Sequence, residues 1–182
     1  DENGVVLIRH AEVVAKSLLS ETVQLFRTKE LHSFIILIHC DEGSENISYL
    51  KEYCNFVLRV PPLEERGLQE RFQFVEKFFA DEARKLDKKI EVNYGILQCL
   101  LMYPCHDNLI ELRNDIQYGV ANANIRTKRN QNIVIGISDF NSSVRKGLLY
   151  IRGNSKEIEQ VLKKNMNYIF TGEETYSYLH QT

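Results

Sequence analysis

The sequence predicts an α/β protein with three parts: a partial α/β core with a parallel sheet, then a three-helix bundle, then a small α/β extension. Two observations lead to this fold class. The apolar runs VVLI (5–8) and FIILI (34–38) indicate strands buried on both faces, which is typical of parallel sheets. After residue 63, apolar residues recur at helical spacing instead of in short runs.

Residues 1–62 are predicted to alternate strand and helix, which is the α/β pattern. A helix follows VVLI, with an apolar face formed by Val14, Leu18 or Leu19, Val23 and Phe26. The segment DEGSENISYLKEYC is predicted as a loop and a short helix. FVLRV (56–60) is predicted as a third strand, which the adjacent residues Pro61 and Pro62 end.

Residues 63–127 are predicted to form three helices joined by short loops. The first helix, within 64–86, has an apolar face formed by Leu68, Phe72, Val75, Phe79 and Leu86, and we expect Phe72, Val75 and Phe79 in the core. Asn93 is a candidate cap for the second helix, YGILQCLLM, which stops before Pro104. Asp107 is a candidate cap for the third.

Residues 128–182 are predicted as a small α/β extension. The polar segment RTKRNQN (126–132) leads into it as a linker. IVIGI (133–137) is a predicted strand, SSVRKGLL a short helix, SKEIEQVLKK a helix capped by Ser155, and NYIF a last short strand.

Composition excludes several classes of function. Lys and Arg total 23 against 25 Asp and Glu, a net charge of −2, so no overall field attracts nucleic acid or anionic lipid. We expect no direct nucleic-acid contact from this segment and no membrane, because no apolar run approaches the roughly 20 residues of a span. The four cysteines form no C-x-x-C pair, which favours reduced thiols in a cytoplasmic protein.

No metal site is predicted from spacing. The neighbouring pairs His39-Cys40 and Cys105-His106 are the only adjacent His and Cys residues, and they lack the spacing of a zinc site. The sequence also contains neither G-x-x-x-x-G-K-[ST] nor G-x-G-x-x-G, so no phosphate-binding loop is predicted within it.

LIRHAE (7–12) places Arg9 and His10 at the carboxyl end of the first strand, where α/β proteins hold their chemistry. The stretch resembles the Arg-His-Gly motif of histidine phosphatases, in which His accepts the phosphoryl group and Arg binds phosphate. The resemblance implies a catalytic His10 with Arg9. That family needs a second His after a late strand, where this sequence has Ser138 and Asp139.

A longer ordered set of residues resembles the AAA+ domain of sigma-54-dependent transcription activators, in the levanase-operon-regulator branch with phosphotransferase-system regulation domains. In that family a Leu-Pro-Pro-Leu-Arg-Glu-Arg strand end precedes a three-helix lid with a Tyr-Pro-Trp-Pro-Gly-Asn turn. The matching residues are Pro61, Pro62, Leu63, Glu65, Arg66, Tyr103, Pro104, Asn108, Glu111, Leu112, Asp115, Ile116, Gln117 and Val144 to Leu149.

The resemblance implies a degenerate ATPase site. NGVVLIRHAE falls on the Walker B strand, so Arg9 and His10 replace the magnesium-binding Asp and the water-polarising Glu. The family's sensor Arg falls on Ile110, near Arg113, and we expect Arg9, His10, Ile110 and Arg113 to line the nucleotide cleft. The arginine fingers fall near Glu52 and Tyr53, and sensor I near residues 41–44.

We therefore expect the sigma-54-interaction region of a phosphotransferase-system-linked regulator, not hydrolysing ATP as it stands. VPPLEERG would be the hinge between core and lid. Because the chain starts DENGVVLI without Met, we expect a longer protein in which Walker A, ATP and magnesium belong upstream. The expected partners are copies of itself in a ring, sigma-54 RNA polymerase and phosphotransferase-system proteins. The alternatives are the histidine phosphatase and a non-catalytic interaction domain.

Overall fold

A computed structural model describes residues 4–28, 34–40, 43–52, 54–129, 131–164 and 166–172. The chain divides into two compact units, Asp1–Arg59 and Val60–Thr182. The protein is of mixed α/β type, and the expected parallel pairing of the first two strands is confirmed. Among the described residues, no helix combines the length and the apolar character needed to cross a membrane.

Among its described residues, the first unit contains two strands and two helices. They are β1 (Gly4–Ile8), α1 (Lys16–Thr28), β2 (Phe34–Ile38) and α2 (Glu45–Lys51), with a 3-10 turn at Ala11–Val13. β1 and β2 pair in parallel, with Gly4 opposite Phe34 and Ile8 opposite Ile38. Its small core consists of Ala11, Leu19 and Leu50, with Ile8, Val14, Ile38, Cys40 and Tyr49 packed around them.

Two predictions for the first unit are wrong. The sheet was expected to be covered on both faces, yet Val5, Leu7, Ile35 and Leu37 are more than half exposed. FVLRV (56–60) is not a strand, and Phe56 and Leu58 are 89% and 90% exposed. An apolar run signals a tendency to be buried, but a strand also needs a partner strand to satisfy its backbone.

Of the predicted apolar face of α1, Leu19 is buried, and the side chains of Val23 and Phe26 lie outside the described residues.

The second unit contains five helices and three strands among the described residues. They are α3 (Leu68–Leu86), β3 (Ile90–Asn93), α4 (Tyr94–Met102), α5 (Asn108–Arg126), β4 (Ile133–Val134), α6 (Ser142–Lys146), α7 (Ser155–Val161) and β5 (Asn167–Phe170). The three strands form one sheet in the order β4-β3-β5, parallel between β3 and β4 and antiparallel between β3 and β5.

The helices α3 and α4 of this unit form where the spacing of apolar residues predicts them. Phe72, Val75 and Phe79 of α3 are buried, which confirms the predicted core face. Asn93 caps α4 as predicted, because its side-chain oxygen accepts a hydrogen bond from the backbone N–H of Ile96 at 3.0 Å. The core extends from Leu63 to Phe170, so the predicted lid (63–127) and extension (128–182) share one core and one sheet.

Three local predictions differ from the structure. Asp107 stands at the start of α5 but its side chain makes no cap hydrogen bond; its backbone N–H donates to Glu111 Oε2 at 3.0 Å. Ser155 is the first residue of α7 and not its cap, which is Asn154. Of IVIGI, only Ile133–Val134 is a strand, because Gly136 leads into a 3-10 turn at Ile137–Asp139.

Candidate functional site

The carboxyl ends of β1 and β2 bring two loops together at one edge of the first unit. Ile8 lies opposite Ile38 in the parallel register, so the residues that follow the two strands start side by side. The backbone N–H of His39 donates to the carbonyl of Ile8 at 2.8 Å, and the carbonyl of His39 accepts from the N–H of Ala11 at 3.0 Å. Both loops are therefore fixed to each other through His39.

His10 has an unusual backbone conformation at this edge. Its φ of 55° and ψ of 49° lie in the left-handed region, which costs a non-glycine residue roughly 1–2 kcal/mol. The turn at Ala11–Val13 follows directly, and Ala11 is fully buried beneath it. The left-handed residue reverses the chain, so that Glu12 returns toward the His10 ring.

The turn assembles a cluster of His10, Glu12 and His39. Nδ1 of His10 lies 2.9 Å from Oε1 of Glu12. The rings of His10 and His39 meet edge to face, with centroids 5.4 Å apart and planes at 81°. One metal-ligating atom from each of the three residues lies within 4.8 Å of the others. Two imidazoles and one carboxylate can bind a metal ion, or accept and donate protons.

The sequence-predicted site residues lie in two different units. Arg9 and His10 are exposed at the end of β1. Ile110 is 70% exposed on α5, and the guanidinium of Arg113 stands over the Phe78 ring at 5.9 Å. Because the two pairs belong to separate units, the nucleotide cleft expected between them stays a prediction.

The resemblance also predicts positions for the arginine fingers and for sensor I. Glu52, one of the places expected for an arginine finger, is exposed at the end of α2. Tyr53, and residues 41 and 42 of the sensor I position, lie outside the described residues.

Asp139 stands where a histidine phosphatase would need its second His, and it has a structural role here. Its carboxylate accepts a hydrogen bond from the backbone N–H of Gly136 at 2.7 Å and pairs with the guanidinium of Arg126. Asn122 binds its carbonyl at 2.8 Å. These bonds fix the 3-10 turn at Ile137–Asp139 against α5.

The neighbouring pairs His39-Cys40 and Cys105-His106 belong to different units. Cys105 is buried in the second unit and accepts a hydrogen bond from Arg71 at 3.1 Å, whereas Cys40 belongs to the first unit. His39 instead joins His10 and Glu12. Sequence spacing missed this cluster because Glu12 and His39 are 27 positions apart by their numbers and meet only through the parallel register. The available signal was a His soon after each of two predicted parallel strands.

The two turns that carry the AAA+ resemblance contact each other in the second unit. The backbone N–H of Leu63, in the turn after Pro62, donates to Oδ1 of Asn108 at 2.8 Å. Asn108 has a φ of 55°, a conformation that Asn tolerates better than most residues. Arg66 closes the same turn, since its Nε donates to the Pro61 carbonyl at 3.0 Å.

A buried polar network lies beneath these turns. Arg71, only 5% exposed, donates from Nε to the Leu100 carbonyl at 3.0 Å and from Nη2 to the Tyr103 carbonyl at 2.5 Å. Its guanidinium also stands over the Tyr103 ring at 5.2 Å. A buried cation is tolerated when its N–H groups are bonded in this way. Arg71 thus holds the end of α4 against α3.

Asp115 is the second charged group of this network. Burial raises the pKa of its carboxyl, while the Tyr103 hydroxyl and the Asn141 amide act in the opposite direction. Oδ1 accepts a hydrogen bond from Asn141, but neither Oδ2 nor the Tyr103 hydroxyl has a partner of normal geometry among the described residues. Burial also raises the pKa of Tyr103, and it raises that of Cys99 to about 11. The network is structural, because it is closed to solvent.

The chain matches no family model, no curated protein and no solved structure.

Proposed function

We propose that this chain is a degenerate AAA+ region of the kind found in sigma-54-dependent, phosphotransferase-system-linked transcription regulators. One observation carries the proposal. The turn at Pro61 and Pro62 and the turn from Tyr103 to Asn108 are the two most distinctive parts of the resemblance. The hydrogen bond from the backbone N–H of Leu63 to Oδ1 of Asn108 joins them. This bond supports the proposal because it joins two matched segments whose bonded residues are 45 positions apart in the sequence.

Further contacts, each made by one matched residue to another part of the unit, support the same proposal. Asp115, from the Asp-Ile-Gln part of the resemblance, bonds to Asn141, and Gln117 bonds to Glu82 on α3 at 3.0 Å. Gly147 of Val-Arg-Lys-Gly-Leu-Leu packs so closely that an added Cβ would lie 2.5 Å from the Cys99 carbonyl oxygen. The resemblance therefore coincides with positions that tie α3, α4, α5 and α6 together.

The charges at the end of β1 argue for a region without ATPase activity. Magnesium prefers oxygen ligands, and a guanidinium at Arg9 repels it. His10 replaces the carboxylate that would polarise water. In this proposal ATP and magnesium are ligands of a longer chain at most, and the region serves as a scaffold.

The apolar surface of the first unit supports a role in assembly. A parallel sheet normally has both faces covered. Here the face that carries Val5, Leu7, Ile35 and Leu37 is open among the described residues. A ring of copies would cover such a face, and the proposed partners are therefore further copies, sigma-54 RNA polymerase and phosphotransferase-system proteins in the cytoplasm.

ATP binding and hydrolysis test the catalytic part of this proposal. The purified protein is titrated with a fluorescent ATP analogue, and phosphate release is followed with ATP and magnesium. We expect no saturable binding and no release above the rate without protein. Saturable binding, or magnesium-dependent hydrolysis that is lost in Arg9→Ala, would overturn the claim of a degenerate site.

A histidine phosphatase-like activity is the second candidate, because His39 places a second imidazole beside His10. In such an enzyme His10 would accept the phosphoryl group and Arg9 would bind phosphate. Hydrolysis of a generic phosphate ester by the intact protein, abolished in His10→Ala and kept in His106→Ala, would favour this candidate over the AAA+ region. Absence of hydrolysis in the wild type would exclude it.

A further inference from the structure

We propose that His10, Glu12 and His39 bind a divalent first-row transition metal ion, with Zn²⁺ as the reference case. The proposal does not depend on the AAA+ resemblance, because all three ligands belong to this chain and no nucleotide takes part. It assigns a site at the edge where β1 and β2 end, in the first unit.

The donor atoms suit this class of ion. Zinc sites with three protein ligands commonly use two His and one carboxylate, and they leave a position for water. Two imidazole nitrogens select against magnesium and calcium, which take oxygen ligands. Arg9 precedes His10 in the sequence and its positive charge opposes cation binding, but imidazole ligands suit zinc, whereas magnesium needs oxygen ligands.

The distances leave little to rearrange. With metal–ligand bonds of about 2.0–2.2 Å, a tetrahedral ion separates its ligands by about 3.3–3.6 Å. The three ligating atoms already lie within 4.8 Å of one another, and the His10–Glu12 pair is at 2.9 Å. Small rotations of the three side chains therefore suffice, and the backbone need not move.

The backbone around the ligands is fixed before any ion binds. His39 is held through both its N–H and its carbonyl, and Ala11 between the other two ligands is fully buried. His10 keeps a left-handed conformation that costs energy. Backbone strain of this kind is concentrated at functional sites, where the surrounding structure enforces it. A preorganised site lowers the entropic cost of binding.

Accessibility also agrees with a site of this kind. The side chain of His10 is 57% exposed, so an ion and its water ligand can enter from solvent. The Glu12 side chain is 17% exposed, and its Oε1 lies 2.9 Å from Nδ1 of His10.

The test is a titration of the chelator-treated protein with Co²⁺, followed by absorbance, and with Zn²⁺, followed by calorimetry. We expect one equivalent to bind, with a cobalt d–d spectrum that lacks a thiolate charge-transfer band. His39→Ala and Glu12→Gln should each weaken binding by more than about 100-fold, since even the loss of an outer-shell partner costs 10–100-fold. Glu12→Gln keeps the shape of the side chain, so it guards against misfolding of a variant.

Two control variants complete the design. His106→Ala alters an exposed His of the other unit and should leave affinity unchanged. Cys40→Ser removes the thiol next to His39 and should also leave it unchanged. The proposal is overturned if no ion binds, if His39→Ala or Glu12→Gln binds as tightly as the wild type, or if a thiolate band disappears in Cys40→Ser. None of these outcomes depends on ATP, so failure here is distinct from failure of the AAA+ proposal.

Discussion

In the second unit, Asn108 stabilises the contact between the turn after Pro62 and the start of α5 in two ways. Its Oδ1 accepts from the Leu63 N–H, and its backbone has a positive φ that few other side chains tolerate. The prediction of Asn108 as a family position gave no hint of this bond, because residues 63 and 108 are far apart in sequence. The sequence could likewise identify His10 as a strand-end residue but not its pairing with Glu12 and His39.

Asn108→Ala should destabilise the protein by about 1–3 kcal/mol, because a largely buried N–H loses its acceptor. The positive φ adds a further cost, which Asn108→Gly avoids since Gly adopts that conformation freely. Urea unfolding of both variants measures the two effects separately. Asn114→Ala, on the exposed face of the same helix, is the matched control and should be neutral or slightly stabilising. Equal stability of Asn108→Ala and the wild type would contradict this role.

The raised pKa of the buried Asp115 carboxyl should make the stability of the protein depend on pH. Its pKa is raised by burial in the folded state, so the folded protein binds this proton more tightly than the unfolded chain does. Its contribution is therefore complete below the ordinary pKa of about 3.9 and is lost as pH rises through the raised value. Asp115→Asn lacks this loss, so its stability relative to the wild type should increase with pH.

Urea unfolding of the two proteins from pH 4 to pH 7 checks this sign, and comparing them removes the effect of other groups such as Glu76, whose pKa burial also raises. A stability difference that stays constant, or that decreases with pH, would contradict the account of Asp115.

At the scale of elements, helices with a continuous apolar face were predictable, and elements defined by distant pairing were not. α3 and α4 follow from local spacing and from the Asn93 cap. β3 was not predicted, because IEV is too short to show a pattern and its partners lie at Ile133 and Phe170. FVLRV (56–60) is the opposite case, since a strand was predicted there and none forms. Phe56, Val57 and Leu58 line a hollow of about 140 Å³ in the first unit and pair with no strand among the described residues.

The approach of α4 to the turn at Gly147–Tyr150 gives an element-scale prediction. A Cβ at residue 147 would lie 2.5 Å from the Cys99 carbonyl oxygen, and backbone cannot move aside cheaply. Gly147→Ala should therefore cost about 1–3 kcal/mol, even though Ala favours helical backbone. Gly153→Ala has no atom within 4 Å of its added Cβ and serves as the control, with no loss expected. Thermal unfolding of both variants tests this prediction. A Gly147→Ala protein as stable as Gly153→Ala would refute the close approach of Gly147 to Cys99.

At the scale of the whole molecule, the two units differ in the size of their cores. Where the structure describes side chains, the first has three buried apolar residues, whereas the second has a core that runs from Leu63 to Phe170 and includes residues of β3, β4 and β5. The sequence predicted the α/β class and the order of helices. It could not predict where the chain divides, because that depends on which contacts form between distant segments.

The second unit should fold without the first. A chain of residues 60–182 retains the complete large core, so it should unfold cooperatively with a midpoint close to that of the main transition of the intact protein. Circular dichroism and calorimetry of both chains test this. A chain of residues 60–182 without a cooperative transition would show that the first unit contributes more than its three buried residues suggest.

We propose that this chain belongs to a sigma-54-linked regulator, and transcripts in the organism that encodes it test the proposal most directly. The gene is deleted during growth on phosphotransferase-system sugars, in strains with and without sigma-54, and a complementing copy is the control. We expect altered transcripts for a sugar-uptake operon that depend on the deletion only when sigma-54 is present. Transcripts that do not respond to the deletion, or that respond equally without sigma-54, would contradict it.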